Sequence, residues 1–183
     1  VRLLQRTTPL GEQITWTHQE TKENYSIPTN VATGLGFTED IPDIIYIAIG
    51  VNDSSANIGD DLDTVITQSY SELTKRTFAS ALRWAIETLR CVYPKVQIFV
   101  ATPLFTGLAN SVENFSKATV LLKRKAILES CIANGVYCID STMKAGYTNQ
   151  ISNINSQGIH PRSYNKCMIA KFIQKEIYNN YIP

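Results

Sequence analysis

Pro42-Asp-Ile-Ile-Tyr-Ile-Ala-Ile-Gly-Val-Asn-Asp-Ser54 decides how the chain is read. Ile44, Ile45, Ile47 and Ile49 form a short apolar run with only Tyr46 and Ala48 between them. The run is too short for a helix of its own and is bounded by Pro42 and Gly50, so it predicts a strand buried on both faces of a parallel sheet. A glycine ends the strand and lets the backbone turn sharply. Asn52 and Asp53 follow at once. In open α/β sheets, ligands bind beyond the carboxyl ends of the strands. An amide side chain fixed there can donate hydrogen bonds to an oxygen that becomes negative during a reaction.

Working outward, the rest of the chain repeats the same unit. Residues 62–70 predict a short helix, with Asp60, Asp61 and Asp63 collected at its N-terminus. Acids there complement the helix dipole, which explains the trio more simply than a metal site does. Residues 74–93 carry Phe78, Leu82, Ala85, Ile86 and Leu89 at helical spacing, and Pro94 ends that helix. Residues 96–101 form a second apolar strand, stopped by Thr102-Pro103. A helix over 116–133 places Leu121, Leu122, Leu128, Cys131 and Ile132 inward, and Asn134-Gly135 gives it a left-handed stop. Residues 136–139 make a third strand followed by Asp140. After a polar loop, Ser163 is expected to cap a last helix carrying Cys167, Met168, Phe172, Ile173 and Ile177. Strand alternating with helix is the rhythm of a parallel α/β sheet.

The first 40 residues break this rhythm. Segments 13–18 and 25–27 flank a polar stretch and predict a surface hairpin, while 31–37 reads as a connector. Gly34 and Gly36 lack the preceding strand and following helix that a dinucleotide site needs. No linker or repeat divides the chain, so its 183 residues are read as one domain.

Composition narrows the partners. The net charge is +1 and the apolar fraction 44%, with no apolar run of membrane-spanning length. Neither a nucleic acid nor a membrane is an expected partner. Cys91, Cys131, Cys138 and Cys167 are scattered, and His18 and His160 are the two histidines. Without ligand spacings, neither a metal nor another cofactor is expected. The cysteines sit in or beside apolar patterns and read as buried free thiols, with one disulfide left open. The opening Val1-Arg-Leu-Leu lacks an initiator methionine and a signal pattern, so the chain is expected to be a piece of something longer.

Two loops at the carboxyl ends of these elements carry reactive groups. One is Gly50-Val-Asn52-Asp53. The other is Gln157-Gly-Ile-His160-Pro161, just before the last helix. His18 reads as an ordinary surface or packed residue. His160 lies between a glycine turn and a proline that restrict its backbone, on the side of the sheet where Asn52 is expected. An imidazole there can act as general base for a hydroxyl nucleophile and then as acid for the leaving group.

With these blocks in place, residues 41–178 resemble the SGNH (GDSL-like) hydrolases, a family of serine esterases and acyl hydrolases. Gly50-Val51-Asn52-Asp53 is similar to the family's G-x-N-D block, and residues 157–161 to its D-x-x-H-P block. The resemblance implies a flavodoxin-like three-layer α/β/α fold. It also implies Asn52 as an oxyanion-hole donor, His160 as catalytic base, and no cofactor. Gln157 stands where the family has its aspartate; it can hold the imidazole tautomer but cannot stabilise an imidazolium as a carboxylate does.

The family's Gly-Asp-Ser block, which carries the nucleophile at the end of the first strand, has no counterpart here. Asp140-Ser141 imitates it but occupies the last strand, which argues against Ser141 as nucleophile. The expectation is therefore a serine supplied upstream of Val1, on a strand that this chain lacks. In the implied strand order 2-1-3-4-5, that strand lies beside 44–49, and without it a flat apolar edge would face water. A missing N-terminal segment, or another chain, is the expected partner of 44–49. The expected substrate is a small acyl ester or acylated glycan. The alternative is a non-catalytic glycan-binding or structural domain that retains the fold, a reading that Gln157 favours.

Overall fold

A computed structural model describes residues 14–17, 24–27, 42–53, 55–58, 62–74, 76–105, 113–145 and 160–183. β1 (Ile14–Thr17) pairs antiparallel with β2 (Asn24–Ile27), forming the expected hairpin. β3 (Ile44–Ala48), β4 (Gln97–Ala101) and β5 (Tyr137–Ile139) form a separate parallel sheet in the order β3-β4-β5. Between them run α1 (Ser55–Ile58), α2 (Leu62–Thr67), α3 (Phe78–Val92) and α4 (Lys117–Asn134). After β5 come α5 (Ser141–Lys144) and α6 (Ser163–Asn180).

The register sets Ile44 against Gln97 and Ala48 against Ala101, then Ala101 against Ile139, so all three strands end at one level. Successive side chains on a strand point to opposite faces, and the two faces are covered by different helices. Ile45, Ile47, Ile98 and Val100 pack with Leu82 and Ile86 of α3 and with Ala126 and Ile127 of α4. Ile44, Phe99, Ala101 and Ile139 pack with Phe172, Ile173 and Ile177 of α6. The chain is thus an α/β protein with helices on both faces of a parallel sheet. Fully burying one side chain such as Leu82 or Ile127 contributes about 1.5–3 kcal/mol, so the face toward α3 and α4 anchors the sheet.

Several elements depart from the sequence expectations. β4 is buried along nearly its whole length, whereas β3 leaves Tyr46 and Ala48 exposed, on the side where the sheet opens into a cleft. The helix expected over 74–93 begins at Phe78, and the one over 62–70 ends at Thr67, followed by a 3-10 turn at Tyr70–Glu72. Arg162, not Ser163, occupies the cap position of α6, with no side-chain cap bond. The four cysteines are free, but only Cys131 is buried; Cys138 is half-buried, and Cys91 and Cys167 are exposed.

The inward face of α4 differs most. Leu121, Leu122 and Ile132 are exposed, and the buried stripe is Thr119, Val120, Lys123, Ala126, Ile127, Ser130 and Cys131. A lysine and two hydroxyls sit in this stripe, which shifts the apparent apolar face of the sequence. The ends of α4 follow the expected chemistry. Ser116 accepts from the Thr119 N–H at 3.1 Å, and Gly135 closes the helix at φ 57°.

The turn after β3 fixes where the sheet stops. Gly50 has φ 98°, and a Cβ placed there would lie 2.7 Å from Cε2 of Phe78. Phe78 is 5% exposed at the start of α3, so it has little room to withdraw. Gly50→Ala is expected to destabilise the chain by on the order of 1–3 kcal/mol. A urea titration checks this; an unchanged midpoint would mean that the turn is not held as described.

Candidate active site

The carboxyl ends of the three strands open into one cleft of about 440 Å³. Its polar wall includes Asn52 from the loop after β3, Thr102 after β4, Ser141 after β5 and His160 ahead of α6. Tyr46 and Ile173 line its apolar side. The two positions singled out in the sequence, 52 and 160, therefore share one cleft, more than a hundred residues apart in the chain. Both are exposed. Gln157 falls in the 146–159 segment, outside the described residues, as does the 31–37 connector.

Asn52 is placed by what lies under it. Lys123 Nζ donates to the Val51 carbonyl at 2.9 Å from beneath the loop. The backbone N–H of Ser55, at the far end of the loop, donates to Glu113 Oε1 at 3.1 Å. Glu113 also accepts from Thr119 Oγ1 at 3.0 Å. Burial pulls Lys123 below the ordinary lysine pKa, a shift opposed by the charges of Asp53 and Glu113.

The floor of the cleft is braced by Asp140. Arg124 donates to it twice, from Nε at 2.9 Å and from Nη2 at 2.7 Å. Thr102 sits between the ends of β4 and β5: its hydroxyl donates to Asp140 at 3.4 Å and accepts from the Thr142 N–H at 2.9 Å. Burial opposes the charge on Asp140, but Arg124 and the hydrogen bonds outweigh it, so the carboxyl stays below its ordinary pKa. With both oxygens occupied by Arg124, Asp140 is a structural acid. Ser141 beside it is 4% exposed, and its hydroxyl, occluded from solvent, has no hydrogen-bond partner among the described residues.

Sequence reasoning missed Lys123, Arg124 and Thr102. Lys123 and Arg124 sit in a basic run of α4 that reads as a solvated face, and nothing local marks the carbonyl or carboxylate that each reaches. Among the described residues, no group of three or more His, Cys, Asp or Glu side chains is arranged to hold a metal ion, and no helix is long and apolar enough to cross a membrane.

The brace makes a pH-dependent prediction. The folded chain favours the Asp140 carboxylate, so it binds fewer protons there than the unfolded chain does. The resulting stability is complete above the ordinary aspartate pKa of about 3.9 and is lost as pH falls through the lower folded value. Asp140→Asn should therefore cost on the order of 2 kcal/mol at neutral pH. In urea titrations the gap to the unaltered chain should close below about pH 4; a gap unchanged in acid would contradict the pairing.

No family model matches the chain, and no curated protein sequence matches it. Solved structures do. A protein from Lactobacillus plantarum matches with a TM-score of 0.60 at 21% identity, over 76% of this chain and 68% of its own. A carbohydrate esterase family 3 protein from Talaromyces cellulolyticus matches at TM-score 0.52 and 23% identity, over 75% and 58%. A serine-to-alanine mutant of an acetyl esterase, solved with an acetate ion, matches at TM-score 0.51 and 25% identity, also over 75% and 58%. The chain spans less than two thirds of the length of either esterase. Its α/β fold is one that it shares with carbohydrate and acetyl esterases.

Proposed function

We propose that this chain is the larger part of an SGNH-type serine esterase acting on small acyl esters, acetyl groups on carbohydrate foremost. The observation that supports this most is the cleft common to Asn52 and His160 at the carboxyl ends of the strands. The likeness in fold to an acetyl esterase and a carbohydrate esterase supports the substrate class.

In this reading a serine hydroxyl, supplied by a segment outside residues 1–183, attacks the ester carbonyl. His160 takes its proton as the C–O bond forms. The carbonyl oxygen becomes an oxyanion, to which the Asn52 side-chain amide donates. When the tetrahedral centre collapses, His160 returns the proton to the leaving alcohol. Water then attacks the acyl-serine by the same two steps. His160 takes the water's proton as the new C–O bond forms, then returns it to the serine oxygen as the C–O bond to serine breaks and the carboxylic acid leaves. Gln157 would orient the imidazole through a hydrogen bond without lending it charge, a weaker arrangement than the family's aspartate.

The proposed partner is an extended segment pairing with β3. Among the described residues, β3 pairs only with β4, leaving a row of backbone groups on its other edge. An apolar groove of about 540 Å³ runs beside that edge, lined by Ile44, Ile173, Ile177 and Tyr181 among others. α6 buries no residue fully. A strand laid on β3, with its following helix on α6, would cover both and bring its own carboxyl end to Asn52.

A fluorophosphonate probe applied to the protein with its upstream segment tests the reading. Labelling is expected on a serine outside residues 1–183, and Ser141→Ala should label equally well. Asn52→Ala should lower turnover of an aryl acetate about a hundredfold or more, and His160→Ala about a thousandfold, with circular dichroism unchanged. No labelling of a folded protein would favour the non-catalytic glycan-binding domain, and labelling of Ser141 would replace the proposed nucleophile.

A further inference from the structure

We infer that Lys123 is a positioning residue for Asn52, holding the loop that carries the amide by gripping the Val51 carbonyl. This rests on the proposed oxyanion role of Asn52. Lys123 is 0% exposed and lies in the inward stripe of α4 beside Val120, Ala126 and Ile127. Packing does not call for an amine there. A methionine of similar reach would fill the space without the cost of desolvating an amine. What lysine adds toward the loop is the 2.9 Å bond from Nζ to the Val51 oxygen, beside the charges of Asp53 and Glu113.

That bond acts where it matters to Asn52. The Val51 carbonyl belongs to the peptide that joins Val51 to Asn52, so holding its oxygen sets the plane of that peptide and with it the position of the Asn52 Cα from which the side chain leaves. The same short loop is held at two further points: Gly50 lies against Phe78, and the Ser55 N–H is bound by Glu113. Asn52, exposed between these three points, is carried on a backbone with little freedom. An oxyanion donor is useful to the extent that it is already oriented before charge develops. Asp53 and Glu113 supply the negative charge that keeps a buried lysine tolerable at this spot.

The test uses Lys123→Met, Asn52→Ala and the double variant in the protein with its upstream segment. Lys123→Met should lower kcat for an aryl acetate about tenfold while KM stays within about twofold. In the Asn52→Ala background the same change should cost less than about twofold, because its route to the reaction is gone. Losses that simply multiply, or a change confined to KM, would overturn the inference, since a general packing role gives that pattern.

Hydrogen exchange supplies a readout that needs no turnover. The backbone amides of Val51, Asn52 and Asp53 should exchange about tenfold faster in Lys123→Met while those of α3 are unchanged; equal loop rates in both proteins would overturn the inference. If no variant or parent hydrolyses any ester, the exchange result decides the loop clamp by itself, and the esterase reading falls separately. Should Lys123→Met fail to fold, nitrogen-15 spectra of the unaltered protein decide. A slowly exchanging Lys123 amine signal is expected, and exchange as fast as that of surface lysines would rule the clamp out.

Discussion

Gly50 has no space for a side chain, and that constraint organises the functional end of this molecule. The strand before it must stop where Phe78 closes against the backbone, and the chain must turn with a positive φ that glycine adopts freely. The turn delivers Val51 above the inner face of α4, where Lys123 captures its carbonyl. Sheet, α3 and α4 thus meet at a single backbone turn. Everything proposed for Asn52 depends on that meeting, because an exposed amide on a free loop would spend most of its time pointing elsewhere.

The second organising element is the pair of parallel strands that continue the sheet. Parallel pairing in register brings Ala48, Ala101 and Ile139 to one level, so the residues that follow each strand converge. Thr102 and Asp140 use this convergence to tie β4 to β5, with Arg124 reaching up from α4 to neutralise the buried carboxylate. One helix therefore supports both halves of the cleft: Lys123 under the β3 loop and Arg124 under the β5 loop. Adjacent residues on a helix point about 100° apart, and here that divergence lets α4 reach two strand ends at once. Opposite this support, the cleft is bounded by α6, which contributes Ile173 to its wall and whose approach carries His160.

How much of this was legible beforehand follows from the range of each interaction. The apolar runs at 44–49 and 97–101 and the Asn134-Gly135 stop declared themselves, because strand burial and helix termination depend on neighbouring residues. The proximity of Asn52 to His160 was legible through the alternation of strand and helix, which puts all parallel strand ends on one side. The inward face of α4 was not. Hydrophobic spacing picks out Leu121, Leu122 and Ile132, which the fold leaves exposed, and passes over Lys123, which it buries. A lysine reads as surface unless its acceptor is known, and the Val51 carbonyl lies 72 residues away. The same blindness hid the Arg124–Asp140 pair. Tyr46 and Ala48 were misjudged for the converse reason: their run is as apolar as a doubly covered strand, but both face an open cleft, not a closely packed neighbour.

The central claim is spatial: the amide of Asn52 and the imidazole of His160 serve one ester. A crystal structure of the protein with the proposed serine-bearing segment, reacted with a methylphosphonate ester that mimics the tetrahedral centre, tests it most directly. The account predicts a phosphonyl oxygen about 3 Å from Asn52 Nδ2, with the His160 imidazole in hydrogen-bond reach of the modified serine's oxygen. An adduct anchored in the cleft with either residue turned away, or one formed elsewhere on the fold, would contradict it.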